Sequence, residues 1–113
     1  MFKEFGQMAS LMKNLPKIRE EMGKLQERVA HITAEGDAGA GMVKAVVNGR
    51  LEVQQVKLSD EIIAMNDKEM LEDLIASALN HALVKARQLV AEETQKMAAG
   101  LGLPPGMNVP GLE

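Results

Sequence analysis

Apolar residues near the start of the chain recur at the spacing of a helix that pairs with another helix. From residue 11 onward they follow at alternating steps of four and three, and the seam comprises Met8, Leu11, Leu15, Ile18, Met22, Leu25, Val29 and Ile32. Such steps keep one stripe facing a partner helix. Pro16 has no backbone N–H and disfavours a helix interior, where it starts, kinks or breaks the helix. The pattern therefore predicts a helix over about residues 16–31, preceded by a helical or frayed segment over about residues 5–14.

The pattern changes to that of a small sheet after Ile32. A glycine-rich loop occupies residues 36–41, β-forming residues follow, and Asn48-Gly49 is the dipeptide that most strongly indicates a hairpin. The slip in alternation between Val53 and Val56 predicts a bulge. A two-residue turn at Asn48-Gly49 gives a register that pairs Val46 with Leu51 and Lys44 with Val53. With a first strand over residues 31–37, these segments predict a three-stranded antiparallel meander.

The last long segment has the pattern of a single amphipathic helix. Ser59-Asp60 begins a short turn through Ile63, and Asn66 with Glu69 has the spacing of a capping box. No helix breaker then appears before Gly100. The apolar stripe comprises Met70, Leu71, Leu74, Ile75, Ala78, Leu79, Ala82, Leu83, Ala86, Leu89, Val90 and Met97. This predicts a helix of about 30 residues, which is about 45 Å long at 1.5 Å per residue.

Such a helix is too long for one small domain to cover. A compact domain of about 100 residues has a radius of gyration of only about 13 Å. A three-stranded sheet also has two edges and two faces, which one chain of this size does not cover. The pattern therefore predicts an α+β fold, ordered α-β-β-β-α, in which two long helices flank a three-stranded antiparallel sheet, and it predicts a homodimer.

Length and composition limit the organisation of the chain. Its 113 residues predict one domain over residues 1–99, and the four Gly and three Pro of residues 100–113 predict a flexible tail. The absence of cysteine excludes disulfides and thiolate metal sites. No apolar run has the length of a membrane span, and the N-terminal residues lack the apolar core of a signal peptide. We therefore expect a cytoplasmic protein.

Candidate catalytic groups do not form a recognisable site. His31 and His81 lie fifty residues apart, without the additional ligands that a metal site needs. The glycine-rich loop leads into a strand and has no lysine before Lys44, so it indicates a turn and not a phosphate cradle. Adjacent acidic residues such as Glu72 and Asp73 point about 100° apart on a helix and do not converge. We expect no enzyme activity, no cofactor, no metal and no small-molecule substrate.

Basic residues form one row on the predicted first helix. The net charge of the chain is −3, so DNA binding would need a local basic patch. The steps of 4, 7 and 4 place four cations on one helical row: Lys13, Lys17, Lys24 and Arg28. Lys85 and Arg87 of the second long helix are candidates to extend it. Two interpretations stay open: a solvated face with i,i+4 ion pairs such as Glu20 to Lys24, or a stripe that contacts phosphate.

Several stretches together make the chain similar to a known family. They are Leu11-Met12-Lys13, Gly36 to Lys44, Val47-Asn48-Gly49, Val53 to Leu58, Asp67 to Ile75, Ala78 to Ala86, and a Gly-Leu-x-Leu-Pro type of tail at Leu101 to Gly106. With these segments the chain resembles the YbaB/EbfC family of bacterial nucleoid-associated proteins. The resemblance covers nearly the whole chain, and residues 67–86 are its most specific part.

The resemblance implies a tweezer-shaped homodimer that binds double-stranded DNA. It implies DNA contacts on the first and last helices, which here carry Lys13, Lys17, Lys24, Arg28, Lys85 and Arg87. We therefore expect a DNA-binding protein of the nucleoid, with low to moderate sequence specificity and an influence on nucleoid organisation and gene expression. The alternative is a protein-interaction dimer with weak or incidental DNA binding, which the acidic last helix favours.

Overall fold

Residues 2–102 form two long helices, a short helix and one sheet. The computed structural model describes the backbone of this range and the side chains of residues 12–102. In chain order its elements are α1 (Phe2–His31), β1 (Thr33–Ala38), β2 (Val43–Asn48), β3 (Val53–Leu58), α2 (Asp60–Ala64) and α3 (Lys68–Gly100). The predicted α+β order is confirmed, and the predicted turn after β3 is the short helix α2.

Helix α1 runs without interruption through Pro16. The expected break at this residue is therefore wrong, because α1 is a single element of 30 residues. The physical reason is that a proline removes only one backbone hydrogen bond, the one to the carbonyl of Met12. Lys17 and the residues up to Arg28 are mostly strong helix formers, and they continue the helix beyond this local defect.

The sheet has the order β1-β2-β3, and both strand pairs are antiparallel. The predicted register across the hairpin is wrong: Val47 pairs with Val53, and Lys44 pairs with Lys57. The loop has three residues between Asn48 and Glu52, because the Asn48 backbone N–H donates to the Glu52 carbonyl at 3.0 Å. The buried Asn48 side chain also accepts from the backbone N–H groups of Arg50 and Glu52, at 3.0 Å each.

The predicted bulge is confirmed at the same end of β3. Val47 pairs with Val53 while Val46 pairs with Gln55, which leaves Gln54 as the extra residue. A bulge of this kind bends its strand and increases the local twist. It also places Val53, Val56 and Leu58 opposite Val47, Ala45 and Val43 on one face of the sheet.

Helix α3 covers β1 and β2 through a row of small residues. Ala78, Ala82 and Ala86 are fully buried and pack against the inner face of the sheet, in one core with Val43, Ala45 and Val47. Small side chains on a helix allow the backbones to approach closely. A second, smaller core joins α1 to the end of α3, and its buried members are Leu25, Val29 and Met97. Part of the predicted heptad seam therefore packs within its own chain.

Side chains cap the N-termini of α2 and α3. The short turn predicted to begin at Ser59-Asp60 is helix α2, which Ser59 caps: its Oγ accepts from the backbone N–H of Ile62 at 3.2 Å. The N-cap of α3 is Asp67 and not Asn66, since Asp67 Oδ1 accepts from the backbone N–H of Met70 at 3.1 Å. Helix α3 has 33 residues and ends at Gly100, in agreement with its predicted length. Residues 103–113, most of the predicted tail, lie outside the described residues.

The molecule is elongated, with extents of 70 × 23 × 17 Å. The sheet and the first half of α3 form one end. Beyond the sheet, α1 and the end of α3 pair side by side through Met22, Leu25 and Val29 of α1 and Val90 and Met97 of α3. Within residues 2–102, no helix combines the length and the apolar character that crossing a bilayer requires.

Candidate nucleic-acid interface

The four cations predicted on α1 do lie in one exposed row. At 3.6 residues per turn, Lys13, Lys17, Lys24 and Arg28 fall within about 60° of one another around the helix axis. All four are exposed. Among the described side chains, neither Lys13 nor Lys17 makes an ion pair. These two residues therefore present positive charge that no carboxylate in that part of the chain compensates.

The positive charge of Lys24 is compensated by two carboxylates of its own helix. Its Nζ lies 3.6 Å from a carboxylate oxygen of Glu20 and 3.5 Å from one of Glu21. The predicted i,i+4 pair between Glu20 and Lys24 is thus confirmed. Since Lys24 and Glu20 are both more than half exposed, the pair contributes at most about 1 kcal/mol and exchanges readily with solvent ions.

The positive charge of Arg28 is compensated by a carboxylate of the other long helix, α3. Its Nε lies 3.7 Å from Oε2 of Glu93, and Oε1 of the same carboxylate lies 3.6 Å from Nζ of Lys96. An open groove of about 370 Å³ runs between α1 and α3 at this point, lined by Lys17, Glu21, Arg28, Glu93, Lys96, Met97, Gly100 and Leu101. The sequence pattern does not single out Lys96 and Glu93, because no local pattern shows that residue 93 lies beside residue 28.

Lys85 and Arg87 do not share a surface with each other. Residues two apart on a helix point about 200° apart, so they lie on opposite flanks of α3. Lys85 leans against β1, where its Nζ donates to the carbonyl of Glu35 at 3.0 Å. Arg87 is exposed on the other flank. Lys85 is also about 12 Å along α3 from Glu93, at 1.5 Å per residue.

Lys85 and His81 together cover the outer edge of β1. His81 Nδ1 lies 2.9 Å from the carbonyl oxygen of Asp37, in the same way that Lys85 reaches Glu35. Alternate residues of an edge strand direct their carbonyls away from the neighbouring strand, and residues 35 and 37 are related in this way. Side chains from α3 thus occupy acceptors that another strand would use. His81 is exposed and nevertheless makes this contact.

Within residues 2–102, no element covers the opposite side of the sheet. Val53, Val56 and Leu58 lie on the face of the sheet that carries the core, but α3 packs mainly against β1 and β2. They are 53%, 38% and 39% exposed, and we call these three residues the β3 face. Apolar side chains at this density on the core side of a sheet indicate a surface that another element covers.

No candidate metal centre appears in the part of the chain with described residues, where no three His, Asp or Glu side chains come together in a way that could hold an ion. His31 and His81 lie on different helices and have different neighbours. His81 contacts β1, whereas His31 borders an open groove at the end of α1. The arrangement of the described residues therefore offers charged surface and apolar surface as its candidate functional features.

Comparison with known proteins identifies a matching family and solved structures of similar fold. The model of the YbaB/EbfC DNA-binding family matches residues 4–101. The crystal structure of an uncharacterized protein from Helicobacter pylori is similar, with a TM-score of 0.55 and 25% sequence identity. The match covers 77% of this chain and 96% of that chain.

Proposed function

This chain belongs to the YbaB/EbfC DNA-binding family, and on that premise we propose that it binds duplex DNA as a homodimer in the bacterial nucleoid. The family consists of DNA-binding, nucleoid-associated proteins and is not an enzyme family. The proposed role is to organise nucleoid DNA in the cytoplasm and thereby to influence gene expression.

The exposed cations of α1 carry this proposal. Lys13 and Lys17 project from the helix without an ion pair among the described side chains, and Lys24 and Arg28 continue the same row with weak ion pairs. Such cations neutralise backbone phosphates and release counterions, which supplies most of the affinity of sequence-independent binding. Lysine side chains on a helix row contact phosphate more readily than base edges, so specificity is low to moderate.

Lys85 and Arg87 complete the proposed set of DNA contacts, and we expect them to contribute unequally to affinity. Arg87 is exposed and available to a phosphate. Lys85 must leave the Glu35 carbonyl before it contacts DNA, which lowers its expected contribution. The two residues face different flanks of α3, so one duplex lying on one flank meets only one of them in each chain.

The β3 face supports the homodimer. Val53, Val56 and Leu58 leave the core side of the sheet open beside α3. A second copy brings the same apolar strand, so that a two-fold arrangement buries both patches at once. Two copies also double the basic row, which raises affinity for a long polyanion through the effective concentration of the second site.

The first experiment titrates the protein against a labelled duplex of unrelated sequence. Fluorescence anisotropy is recorded at about 50 mM and about 200 mM salt, the range over which phosphate-dominated binding weakens most. We expect binding that weakens steeply with salt. Absence of binding at the lower salt concentration, from protein shown to be folded, would contradict the proposed function.

Substitution of the row then tests which residues touch the duplex. Lys13→Ala with Lys17→Ala should weaken binding and reduce the salt slope by about 0.9 for each phosphate that is no longer neutralised. The matched control, Arg19→Ala with Lys68→Ala, removes the same charge from the opposite flank of α1 and from the start of α3. Equal weakening in the two double variants would show that net charge matters and the row does not.

One observation favours a second candidate function. The first turns of α3 expose Glu69, Glu72 and Asp73, and this acidic surface suits a basic protein partner better than DNA. The protein would then act as an interaction dimer with incidental DNA binding. A pull-down with and without nuclease separates the two functions, because a partner retained after nuclease treatment does not depend on DNA.

A further inference from the structure

One carboxylate, that of Glu93, pairs with a cation from α1 and a cation from α3. Arg28 approaches Oε2 of Glu93 at 3.7 Å, and Lys96 approaches Oε1 at 3.6 Å. The Glu93 side chain is 28% exposed, whereas Arg28 and Lys96 are 48% and 74% exposed. The carboxylate therefore lies deeper between the helices, and the two cations reach past it toward solvent.

These contacts are ion pairs of the weak type. Charge-assisted hydrogen bonds bring nitrogen and oxygen to about 2.7–2.9 Å, and both distances at Glu93 are clearly longer. Exposed pairs of this kind contribute little to stability, since water and salt compete with them. A phosphate that approaches from solvent can therefore replace the carboxylate without a large cost to the fold.

The surrounding groove is arranged to receive such an anion. Lys17, Arg28 and Lys96 contribute cations from both helices to its lining, while Glu21 and Glu93 are its acidic members. Glu21 is already engaged with Lys24. Glu93 is thus the carboxylate that a phosphate must displace in order to bind in this groove.

We propose that Glu93 is an internal counter-anion of the DNA interface, and that Lys96 belongs to the interface with Arg28. In the free protein Glu93 neutralises both cations, and in the complex a backbone phosphate displaces it. The inference rests on the proposed function and adds an element of control to it, because the residue that lowers affinity is built into the binding surface.

Displacement of Glu93 has a consequence for the salt dependence. Each neutralised phosphate contributes about −0.9 to the slope of log K against log salt, since DNA releases bound cations. A displaced Glu93 takes up cations from solution and offsets part of that release. Removal of its charge should therefore make the slope steeper, by up to about 0.9 per protomer.

The test compares Glu93→Gln with Glu92→Gln by anisotropy on the same duplex at about 50–200 mM salt. Glu92 is exposed, lies one residue away, and makes no ion pair with a described side chain, so the two variants change net charge equally. We expect Glu93→Gln to tighten binding by about threefold to tenfold with a steeper slope, and Glu92→Gln to tighten it by about twofold at most.

A double variant assigns the gain to the two cations. With Arg28→Ala and Lys96→Ala already in place, Glu93→Gln should tighten binding no more than Glu92→Gln does. Far-UV circular dichroism melts confirm that every variant is folded.

The outcomes distinguish a failure of the proposed role of Glu93 from a failure of the proposed DNA binding. Equal effects of the two glutamine variants, or weaker binding by Glu93→Gln, would overturn the role of Glu93 while DNA binding by the natural sequence stands. If neither the natural sequence nor Glu93→Gln binds at about 50 mM salt, the proposed function and this inference fail together.

Discussion

Two glycines set the distances between the sheet and the helices. A Cβ atom on Gly36 would lie 2.3 Å from the carbonyl oxygen of Ala78 and 2.3 Å from the backbone nitrogen of Ala82. A Cβ atom on Gly49 would lie 2.1 Å from the carbonyl oxygen of Val29. These neighbours are backbone atoms, which cannot turn aside as a flexible side chain can. β1 and the hairpin loop therefore approach the helices only because no side chain intervenes.

Gly36→Ala should lower the free energy of unfolding by about 3 kcal/mol, because it forces β1 away from α3 and opens the core. Gly23→Ala is the matched control, since Gly23 is a helical residue with nothing within 4 Å of the added Cβ. This change should raise the free energy of unfolding by about 1 kcal/mol. Urea denaturation followed by far-UV circular dichroism measures both. Similar small effects would show that the close approach at Gly36 is not required.

At this scale the sequence predicted the hairpin but not its geometry. Asn48-Gly49 correctly indicated a turn between two strands, yet the Asn48 side chain organises a wider loop that ends in Leu51 at a φ of 63°. Glycine is required at residue 49 because of a contact outside the strand pair, with the carbonyl of Val29. A local motif carries no information about a helix that packs against it.

The elements themselves were more predictable than their partners. Periodicity indicated α3 almost to its observed ends, because a wide apolar stripe and the lack of breakers depend only on the segment itself. The seam of α1 predicted pairing with a helix, and Leu25 and Val29 do pack against Met97 of α3. The identity of that partner, and with it the Arg28 to Glu93 contact, depends on the folded chain and could not be read from spacing.

The cap of α3 offers a test at the level of the element. Asp67→Ala should lower the free energy of unfolding by about 1 kcal/mol, because it leaves the backbone N–H of Met70 without its acceptor. Asn66→Gly should not destabilise the protein, since Asn66 has a φ of 50°, which glycine adopts more easily. Thermal melts compare the two. A larger destabilisation at residue 66 would assign the cap to Asn66 instead.

On the scale of the whole molecule, the β3 face predicts how copies associate. Val56→Glu should convert the proposed dimer to monomer, because it places a charge in an apolar interface at a cost of at least about 2 kcal/mol. Size-exclusion chromatography with light scattering measures the mass. The helical content should remain, since Val56 lies outside the buried core.

Gln55→Glu is the control for this variant. Gln55 pairs with Val46 and occupies the opposite face of the same strand, so that the added charge stays in solvent. Loss of the dimer in both variants would indicate a general effect of negative charge on β3. Retention of the dimer by Val56→Glu would assign the association to another surface.

The side chains that cover β1 limit how many copies can join. His81 and Lys85 occupy outward carbonyls of that strand, while β3 stays open at the other side of the sheet. A sheet that accepts neighbours on both sides can add copies without end and grow into a fibre. With β1 occupied in this way, the described part of the sheet has one open side, and in the proposed dimer the second copy takes it. We therefore expect association through the sheet to stop at two copies.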